Sequence, residues 1–368
     1  MQQILDLFAN VLETQWQQIV MWVIGGLLIY LGICKKMEPS LLIPMGFGAI
    51  LVNLPNSGAV TQGGEEGPID VLFNAGIANE LFPLLLFIGI GAMIDFSPLL
   101  SNPKLILFGI FFTLSMARLF GFELNDAASI SIIGAADGPT SIFVANVLQS
   151  KYIGAIVVAA YSYMALVPII QPPVIRLITT KKERMIRMPY RQRSVSKTAR
   201  ILFPIFITII AGIVSPKSVA LVGFLMFGNL IRECGVLESL SETAQNVLAN
   251  LITILLGFTV ATKMQADQFL AWDTILIMCL GLVAFIFDTV GGVLLAKLIN
   301  LFLPREKKIN PMIGAAGISA FPMSARVINR MGLKEDPQNF LLMHAVGVNV
   351  SGQIASVIAG GLILTLVQ

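Results

Sequence analysis

The sequence predicts an all-α polytopic membrane protein of about 10–12 membrane segments, arranged as two inverted repeats that each contain a Gly/Pro-broken or re-entrant segment. Composition gives the first indication: 56% of the 368 residues are hydrophobic, only 12% are charged, and the mean hydropathy is +0.84. A soluble domain carries roughly 25% charged residues. Apolar runs of about 20 residues recur along the chain, whereas a membrane β-barrel would alternate over stretches of about 10 residues.

The apolar runs locate the individual segments. The stretch 1–17 carries acidic and amide residues without a basic cluster, which is typical of an interfacial amphipathic helix rather than a cleaved signal peptide. The predicted membrane segments are 18–34, 41–54, 82–99, 104–119, 127–147, 152–176, 199–215, 218–232, 246–264, 272–302, 309–328 and 340–366.

Two polar connections set the predicted topology. Residues 55–80 are Gly-rich and acidic, and residues 180–198 are strongly basic. The positive-inside rule places the basic loop in the cytoplasm. This loop, taken as 179–198, separates a first membrane repeat at 18–178 from a second at 199–368.

Three pairs of similar segments occur in the same order, which predicts an internal duplication. MGFGAILVN (45–53) resembles VGFLMFGN (222–229), and LLLFIGIGAMIDFSPLL (84–100) resembles ITILLGFTVATKMQADQFL (252–270). The third pair is SIIGAADGPTSIF (131–143) and PMIGAAGISAFPM (311–323).

An inverted repeat requires an odd number of crossings, so one segment of each half should not cross. The broken segments 127–147 and 309–328 are the candidates for re-entrant hairpins. If these segments are re-entrant, Arg330 and Lys334 lie on the cytoplasmic side, as the positive-inside rule favours. A broken helix that does cross is the alternative.

The broken segments also carry the candidate site. Backbone without regular helix is tolerated at membrane depth only where it lines a cavity, and such breaks form Na⁺ sites in transporters. Asp137 would supply the charge, because an intramembrane acid is a functional candidate by default. Neutral oxygens for a hard cation are available nearby in Thr140, Ser141, Asn310, Ser319, Asn349 and Ser351.

Several of these residues have simpler explanations. Asp137 is the first residue of Asp-Gly-Pro-Thr, a pattern that is also typical of a helix N-cap. Capping a helix and binding an ion are compatible roles for one carboxylate. Asn310 fits an interfacial turn, and Ser319 and Asn349 fit contacts between helices. Asp288, deep in CLGLVAFIFDTVGGVLLAK, is a candidate second relay.

Other chemistries find little support in the sequence. His344 is the only histidine, which excludes a His-rich metal site. The phosphate-binding pattern GxxxxGK[ST] does not occur, so ATP cannot drive the protein by that route.

GAADGPTSIF at 134–143 resembles the signature of the β subunits of biotin-dependent, sodium-translocating decarboxylases. NPMIGAAGISAFPMSARV (310–327), NFLLMHAVGVNVSGQIAS (339–356) and ELFPLLLFIGIGAMIDF (80–96) resemble other blocks of that family, so the resemblance covers nearly the whole chain. The family includes decarboxylases of oxaloacetate, methylmalonyl-CoA, glutaconyl-CoA and malonate. The short chain is more similar to the acyl-CoA branch.

The resemblance implies a subunit that decarboxylates carboxybiotin, consumes a proton and couples the reaction to Na⁺ export. Its implied partners are a carboxyltransferase α subunit, a biotin carrier protein, a small membrane subunit, the lipid bilayer and further copies of itself, and no nucleic acid. The implied location is the bacterial or archaeal cytoplasmic membrane.

The resemblance also implies site residues. It places Na⁺ at Asp137, Asn310, Gly314, Ser319 and Asn349. It gives catalytic roles to Asp137, to Tyr163 as a proton donor and to Arg326, which would hold carboxybiotin.

The sequence is compatible with two other functions. A Na⁺-coupled secondary transporter or Na⁺/H⁺ antiporter would share the repeats and the broken segments, because fold does not imply function. A membrane anchor for a soluble enzyme would not need polar, glycine-broken blocks at membrane depth.

Overall fold

A computed structural model describes residues 14–36, 39–62, 64–94, 120–188, 196–214, 216–304, 308–320 and 322–367. Most of the predicted interfacial stretch 1–17, the predicted segment 104–119 and Asp95 lie outside these residues. Within the described ranges the chain is helical, and its only β pairing is an isolated bridge between Gln62 and Glu65. The all-α prediction is therefore confirmed for this part of the chain.

The helices of the described residues are numbered in chain order. They are α1 Trp16–Lys35, α2 Pro39–Val52, α3 Pro68–Phe73, α4 Leu81–Met93, α5 Leu124–Ser131, α6 Gly138–Val147, α7 Ile153–Ile178, α8 Lys181–Arg184, α9 Lys197–Val214, α10 Val219–Cys234, α11 Glu238–Glu242, α12 Ala249–Val260, α13 Ala266–Phe269, α14 Trp272–Phe302, α15 Met323–Glu335 and α16 Leu342–Val367. Single π turns at Asn74–Ala78 and Thr243–Leu248 lead towards α4 and α12.

Five continuous helical stretches of the described residues are long and apolar enough to cross a bilayer. They are Trp16–Lys35, Ile153–Ile178, Glu238–Met264, Trp272–Phe302 and Leu342–Val367. A sixth candidate is the pair Pro68–Ala78 and Leu81–Met93, which bends by 63° at its break. The other predicted segments that are described correspond to shorter or broken helices, such as the 14-residue α2.

The first broken segment folds back on itself, so its two ends lie together. At its beginning, the Asn125 side chain donates to the Leu148 carbonyl at 3.3 Å, and Asp126 Oδ1 accepts from the Ser150 hydroxyl at 2.6 Å. Helices α5 and α6 are the two legs of this hairpin, which we call hairpin 1 (residues 124–150). The two ends of this segment therefore lie next to each other, and its re-entrant topology stays a prediction.

The two ends of the second broken segment also lie close together. Asn310 at its beginning and Asn339 beyond its end both donate to the backbone carbonyl of Arg184, at 2.8 and 2.9 Å. The Arg184 guanidinium in turn pairs with Glu335 at the end of α15, at 2.8 Å. We call this element hairpin 2 (residues 310–339).

Two asparagines make reciprocal contacts between the two halves of the chain. Asn53, just after α2, donates to the Met264 carbonyl beyond α12 at 2.7 Å. Asn229 of α10 donates to the Ile94 carbonyl beyond α4 at 3.0 Å. Asn53 and Asn229 are the last residues of the similar blocks MGFGAILVN and VGFLMFGN. Their acceptors, Met264 and Ile94, lie in the second pair of similar blocks, 252–270 and 84–100.

Candidate functional site

Asp137 lies at the tip of hairpin 1, where the backbone leaves helical geometry. A 3₁₀ turn at Ile132–Ala135 ends in Ala136, whose φ of 52° is left-handed, and Asp137 itself is extended. Helix α6 then begins at Gly138, and Asp137 Oδ1 accepts from the Thr140 backbone N–H at 3.1 Å. The N-cap interpretation of the sequence is thus confirmed. Asp137 is only 2% exposed, so the carboxylate depends on protein donors rather than bulk water.

The tip of hairpin 2 meets the tip of hairpin 1 directly. A 3₁₀ turn at Pro311–Gly317 ends in an extended stretch that carries Ser319. The Ser319 backbone N–H donates to the Ala135 carbonyl at 2.8 Å. This hydrogen bond therefore satisfies one backbone group from each broken segment, the Ser319 N–H and the Ala135 carbonyl, where neither has a helical partner.

Three side chains converge on the second oxygen of the Asp137 carboxylate. Ser319 Oγ donates to Oδ2 at 2.9 Å, Gln353 Nε2 at 3.1 Å and Ser356 Oγ at 2.5 Å. One donor comes from hairpin 2 and two come from α16, so the carboxylate joins three separate elements. Hydrogen bonds to an ionised group are about twice as strong as neutral ones, which is how a buried carboxylate is tolerated here.

Two buried oxygens of the same region have no hydrogen-bond partner among the described residues. They are Thr140 Oγ1, beside the capped end of α6, and Asn349 Oδ1 on α16. The amide nitrogen of Asn349 is used, because it donates to the carbonyls of Ala316 and Ile318 at 3.2 and 2.6 Å. Both oxygens can accept or coordinate, and both belong to residues that are fully buried.

The resulting set consists of one carboxylate with hydroxyl and amide oxygens. Hard cations such as Na⁺ prefer oxygen ligands of this kind. Serine and threonine hydroxyls can donate to the carboxylate in one state and present lone pairs to a cation in another. In the part of the chain that the structure describes, no group of three or more His, Cys, Asp or Glu residues is placed to hold a metal ion.

Gln353 and Ser356 are absent from the sequence predictions. Both follow Asn349 on α16 at spacings of four and seven residues, which places all three on one face of the helix. That spacing was a usable signal, because a polar face at i, i+4 and i+7 in an apolar helix needs polar partners.

Asn310 and Gly314 make none of the hydrogen bonds that the structure shows to the Asp137 carboxylate. Asn310 is at the base of hairpin 2, where its amide donates to the carbonyls of Arg184 and Ile186 at 2.8 and 2.9 Å. Gly314 is in the 3₁₀ turn, and its backbone packs against Gly292 of α14 so closely that a Cβ there would approach the Gly292 oxygen within 2.1 Å. Their roles as Na⁺ ligands stay predictions.

Tyr163 and Arg326 also make none of the hydrogen bonds that the structure shows to Asp137. The Tyr163 hydroxyl donates to the Met278 carbonyl of α14, and Arg326 is on the exposed side of α15. Tyr161 is placed differently: its ring covers Gly138, and its buried hydroxyl has no described hydrogen-bond partner. Of the predicted set, the structure brings Ser319 into contact with Asp137, and Asn349 contacts the Ile318 carbonyl next to Ser319.

Long apolar helices and two hairpins whose broken tips meet at a buried carboxylate define the class, a polytopic membrane protein. Comparison with known proteins gives the family. The chain belongs to the Na⁺-transporting oxaloacetate decarboxylase beta subunit family, whose model matches residues 17–367. Beta subunits of this family are the enzymatic membrane components that couple decarboxylation to sodium transport.

Individual relatives act on different acids. The beta subunit of glutaconyl-CoA decarboxylase from Acidaminococcus fermentans is 48% identical over 358 residues, covering 96% of this chain and 94% of the relative. The methylmalonyl-CoA decarboxylase beta subunit of Veillonella parvula is 48% identical over 355 residues, covering 95% and 93%. A probable oxaloacetate decarboxylase beta chain of Vibrio cholerae is 43% identical over 419 residues, covering 96% of each chain.

Proposed function

We propose that this chain decarboxylates carboxybiotin at the membrane and uses the reaction to export Na⁺, with consumption of a proton. The proposal depends on the Asp137 carboxylate, which is buried where the tips of the two hairpins meet. The surrounding side chains donate hydrogen bonds to this carboxylate, and their oxygens could instead coordinate a cation. Family membership supports the reaction and its coupling to sodium.

At the site, Na⁺ is the cargo. Asp137, Ser319 and Asn349 would contact it, together with the Thr140 and Ser356 hydroxyls. The hydroxyl protons would rotate away from the carboxylate, and the Gln353 amide would turn to present its oxygen. A proton arriving at Asp137 competes with Na⁺ for the same oxygens, so a single carboxylate exchanges one cation for the other.

In the decarboxylation step, the bond between the biotin ring nitrogen and the carboxylate carbon breaks and CO₂ leaves. The electron pair stays on nitrogen, which must take up a proton. Arg326, on the exposed side of α15, would hold the carboxybiotin anion. Tyr163 is the proposed proton donor, and its hydroxyl must leave the Met278 carbonyl to serve in this way.

The architecture that supports this function is a pair of inverted repeats, 18–178 and 199–368, joined by the basic loop 179–198. The reciprocal contacts of Asn53 and Asn229 support this division, since each half contacts the equivalent place in the other. The two hairpins would then enter from opposite faces and meet at their tips. Asn310 and Gly314, in hairpin 2, complete the proposed ligand set in other states of the transport cycle.

The partners follow from the reaction. A carboxyltransferase α subunit would choose the acid, and a biotin carrier protein would bring its carboxyl group to this chain. A small membrane subunit and further copies of the chain would complete the complex in a bacterial or archaeal cytoplasmic membrane. We infer the acyl-CoA branch, because the glutaconyl-CoA and methylmalonyl-CoA relatives are 48% identical and align over close to the length of this chain.

The test is decarboxylation by the complex reconstituted in proteoliposomes, with and without Na⁺, for wild type and Asp137→Asn. We expect Na⁺-dependent CO₂ release and ²²Na⁺ uptake, both lost in the variant, while exposed Asp267→Asn behaves as wild type. Sodium flux without carboxybiotin turnover would instead identify a plain transporter.

A further inference from the structure

A buried glutamine on α7 connects that helix to the broken part of hairpin 2. Gln171 is fully buried, and its Nε2 donates to the Ala315 carbonyl of the 3₁₀ turn at 2.8 Å. Its Oε1 accepts from the hydroxyl of Ser324, in the first turn of α15, at 2.8 Å. One side chain thus holds the chain before and after the extended stretch that carries Ser319.

These two hydrogen bonds lie within an apolar layer. Val167 and Ile175, four residues before and after Gln171 on the same face of α7, pack with Ala315 and Met323 in one buried cluster. Apolar contacts are not directional, whereas a hydrogen bond away from water is both directional and stronger than in water. The amide of Gln171 therefore fixes the position of hairpin 2 on α7.

Helix α16 holds the same turn through a second amide. Asn349 donates to the carbonyls of Ala316 and Ile318 at 3.2 and 2.6 Å. Ser319 is the next residue, and its hydroxyl donates to Asp137 at 2.9 Å. The approach of Ser319 to Asp137 is thus set by Gln171 together with Asn349.

Helix α7 lacks regular backbone hydrogen bonds next to Gln171. Pro172 and Pro173 have no N–H, so the carbonyls of Pro168 and Ile169, four residues earlier, have no helical donor. Contacts with neighbouring elements therefore matter more for the shape of α7 at this point. The same helix carries Tyr163, the proposed proton donor, about 12 Å before Gln171 at ~1.5 Å per residue.

We propose that Gln171 is a positioning residue, which acts through hairpin 2 to keep Ser319 within reach of Asp137. In this role it contacts neither the ion nor carboxybiotin. Without its amide, hairpin 2 holds the position that favours Na⁺ for a smaller fraction of the time, and the apparent affinity for Na⁺ falls by that fraction. This inference rests on the proposed function and adds a residue to it.

The test variant is Gln171→Met, which keeps an unbranched side chain of similar length but has no amide. The Ser324 hydroxyl also lies 3.2 Å from the Ala315 carbonyl, so these two groups can pair with each other in the variant. Neither is then left buried without a partner. The matched control is Gln265→Met, because the Gln265 amide donates to the Thr262 carbonyl within its own turn of the chain.

The complex is reconstituted in proteoliposomes, and CO₂ release is measured as a function of Na⁺ concentration. Loss of a buried neutral hydrogen bond should raise the Na⁺ concentration for half-maximal decarboxylation about 2- to 10-fold in Gln171→Met. Gln265→Met should leave this concentration unchanged. Half-saturation is measured only on molecules that turn over, so partial unfolding lowers the maximal rate without moving it.

Ser324→Ala is the second variant, because it removes the hydroxyl donor and leaves the hydrogen bond from Gln171 to Ala315 in place. We expect a smaller rise in half-saturation than in Gln171→Met. The double variant should match Gln171→Met alone, because both substitutions remove the same contact. If Gln171→Met yields no active complex, an unchanged half-saturation in Ser324→Ala overturns the proposal.

The outcomes separate this inference from the proposed function. A wild-type half-saturation in Gln171→Met, an equal rise in Gln265→Met, or additive effects in the double variant would each overturn the positioning role. Wild-type decarboxylation that is indifferent to Na⁺ would instead overturn the proposed function.

Discussion

Ser319 binds Asp137 through its side chain and binds the neighbouring turn through its backbone. Its hydroxyl donates to Asp137 Oδ2 at 2.9 Å, and its N–H donates to the Ala135 carbonyl at 2.8 Å. Any movement of one hairpin relative to the other must therefore change the surroundings of the carboxylate. If Na⁺ binds at Asp137 as proposed, its occupancy and the position of the hairpins are interdependent, which a coupled pump requires.

Ser356→Ala tests the shortest contact of the Asp137 carboxylate. In the proposed site the Ser356 oxygen contacts Na⁺, and a contact to a charged group stabilises by about 1.5–3 kcal/mol. We therefore expect loss of this oxygen to raise the Na⁺ half-saturation of decarboxylation about 10- to 100-fold. The control is Ser351→Ala on the same helix, because the Ser351 hydroxyl donates only to the Gly347 carbonyl of its own helix. Equal effects of the two substitutions would contradict a specific role for Ser356.

Gly138→Ala tests the packing of Tyr161 against the tip of hairpin 1. A Cβ at Gly138 would lie 2.5 Å from Tyr161 Cζ, and the ring is buried, so we expect a loss of about 1–3 kcal/mol in stability and a loss of activity. The double variant Gly138→Ala with Tyr161→Ala should recover part of the activity, since the clash is gone.

The control for this prediction is Gly26→Ala on α1, where a new Cβ would meet nothing within 4 Å. Melting temperatures of the purified variants and decarboxylation rates provide the measurements. If Tyr161→Ala deepens the defect of Gly138→Ala, the contact between the two residues is not its cause.

The sequence predicted the break at Asp137 because Asp-Gly-Pro-Thr is a local signal: Gly and Pro interrupt the helix, and Asp caps the next one. It could not predict that Ser356 reaches the same carboxylate, since that contact joins residues 219 positions apart. Local sequence patterns predict helix breaks and helix caps. Contacts between two hairpins depend on tertiary packing, which a local pattern does not encode.

The two tyrosines of AAYSYMALVP illustrate the same limit. The family resemblance pointed to Tyr163, but positions two apart on a helix face directions about 200° apart. In this structure Tyr161 covers the Asp137 turn, and Tyr163 faces α14. Sequence alone did not reveal which face of α7 is turned towards hairpin 1.

The ion pair between Arg187 and Asp336 predicts a pH dependence outside the membrane. Arg187 donates to Asp336 at 2.5 and 3.0 Å, and this hydrogen bonding lowers the pKa of Asp336 from its ordinary value of 3.8. A lowered carboxyl pKa contributes stability that is fully present above the ordinary value and is lost as the pH falls through the lowered one.

Asp336→Asn should therefore melt at a lower temperature than wild type between pH 5 and pH 8, and the difference should close as the pH falls below 3.8. Glu238→Gln, an exposed substitution at the start of α11, is the control. A difference that persisted unchanged at low pH would mean that Asp336 stabilises the protein by something other than its charge.

Asn310→Ala tests the base of hairpin 2. The Asn310 side chain donates to the carbonyls of Arg184 and Ile186 and accepts from the Met312 N–H at 3.1 Å. Its loss removes the partner of the Ile186 carbonyl and of the buried Met312 N–H, whereas the Arg184 carbonyl keeps its donor Asn339. We expect a loss of roughly 1–3 kcal/mol in stability and faster tryptic cleavage within the basic loop 180–198. Cleavage of inside-out membrane vesicles at 25 °C, followed by mass spectrometry, measures the second effect.

The control for Asn310 is Asn246→Ala, because the Asn246 side chain donates only to the Glu242 carbonyl one turn earlier in its own helical stretch and is exposed. If Asn310 also contacts Na⁺, Asn310→Ala will raise the Na⁺ half-saturation beyond what the loss of stability explains, and added Na⁺ will protect wild type but not the variant from trypsin. Unchanged cleavage and stability in Asn310→Ala would contradict its role in holding the loop. A shift in Na⁺ half-saturation without any change in cleavage would then assign Asn310 to the ion alone.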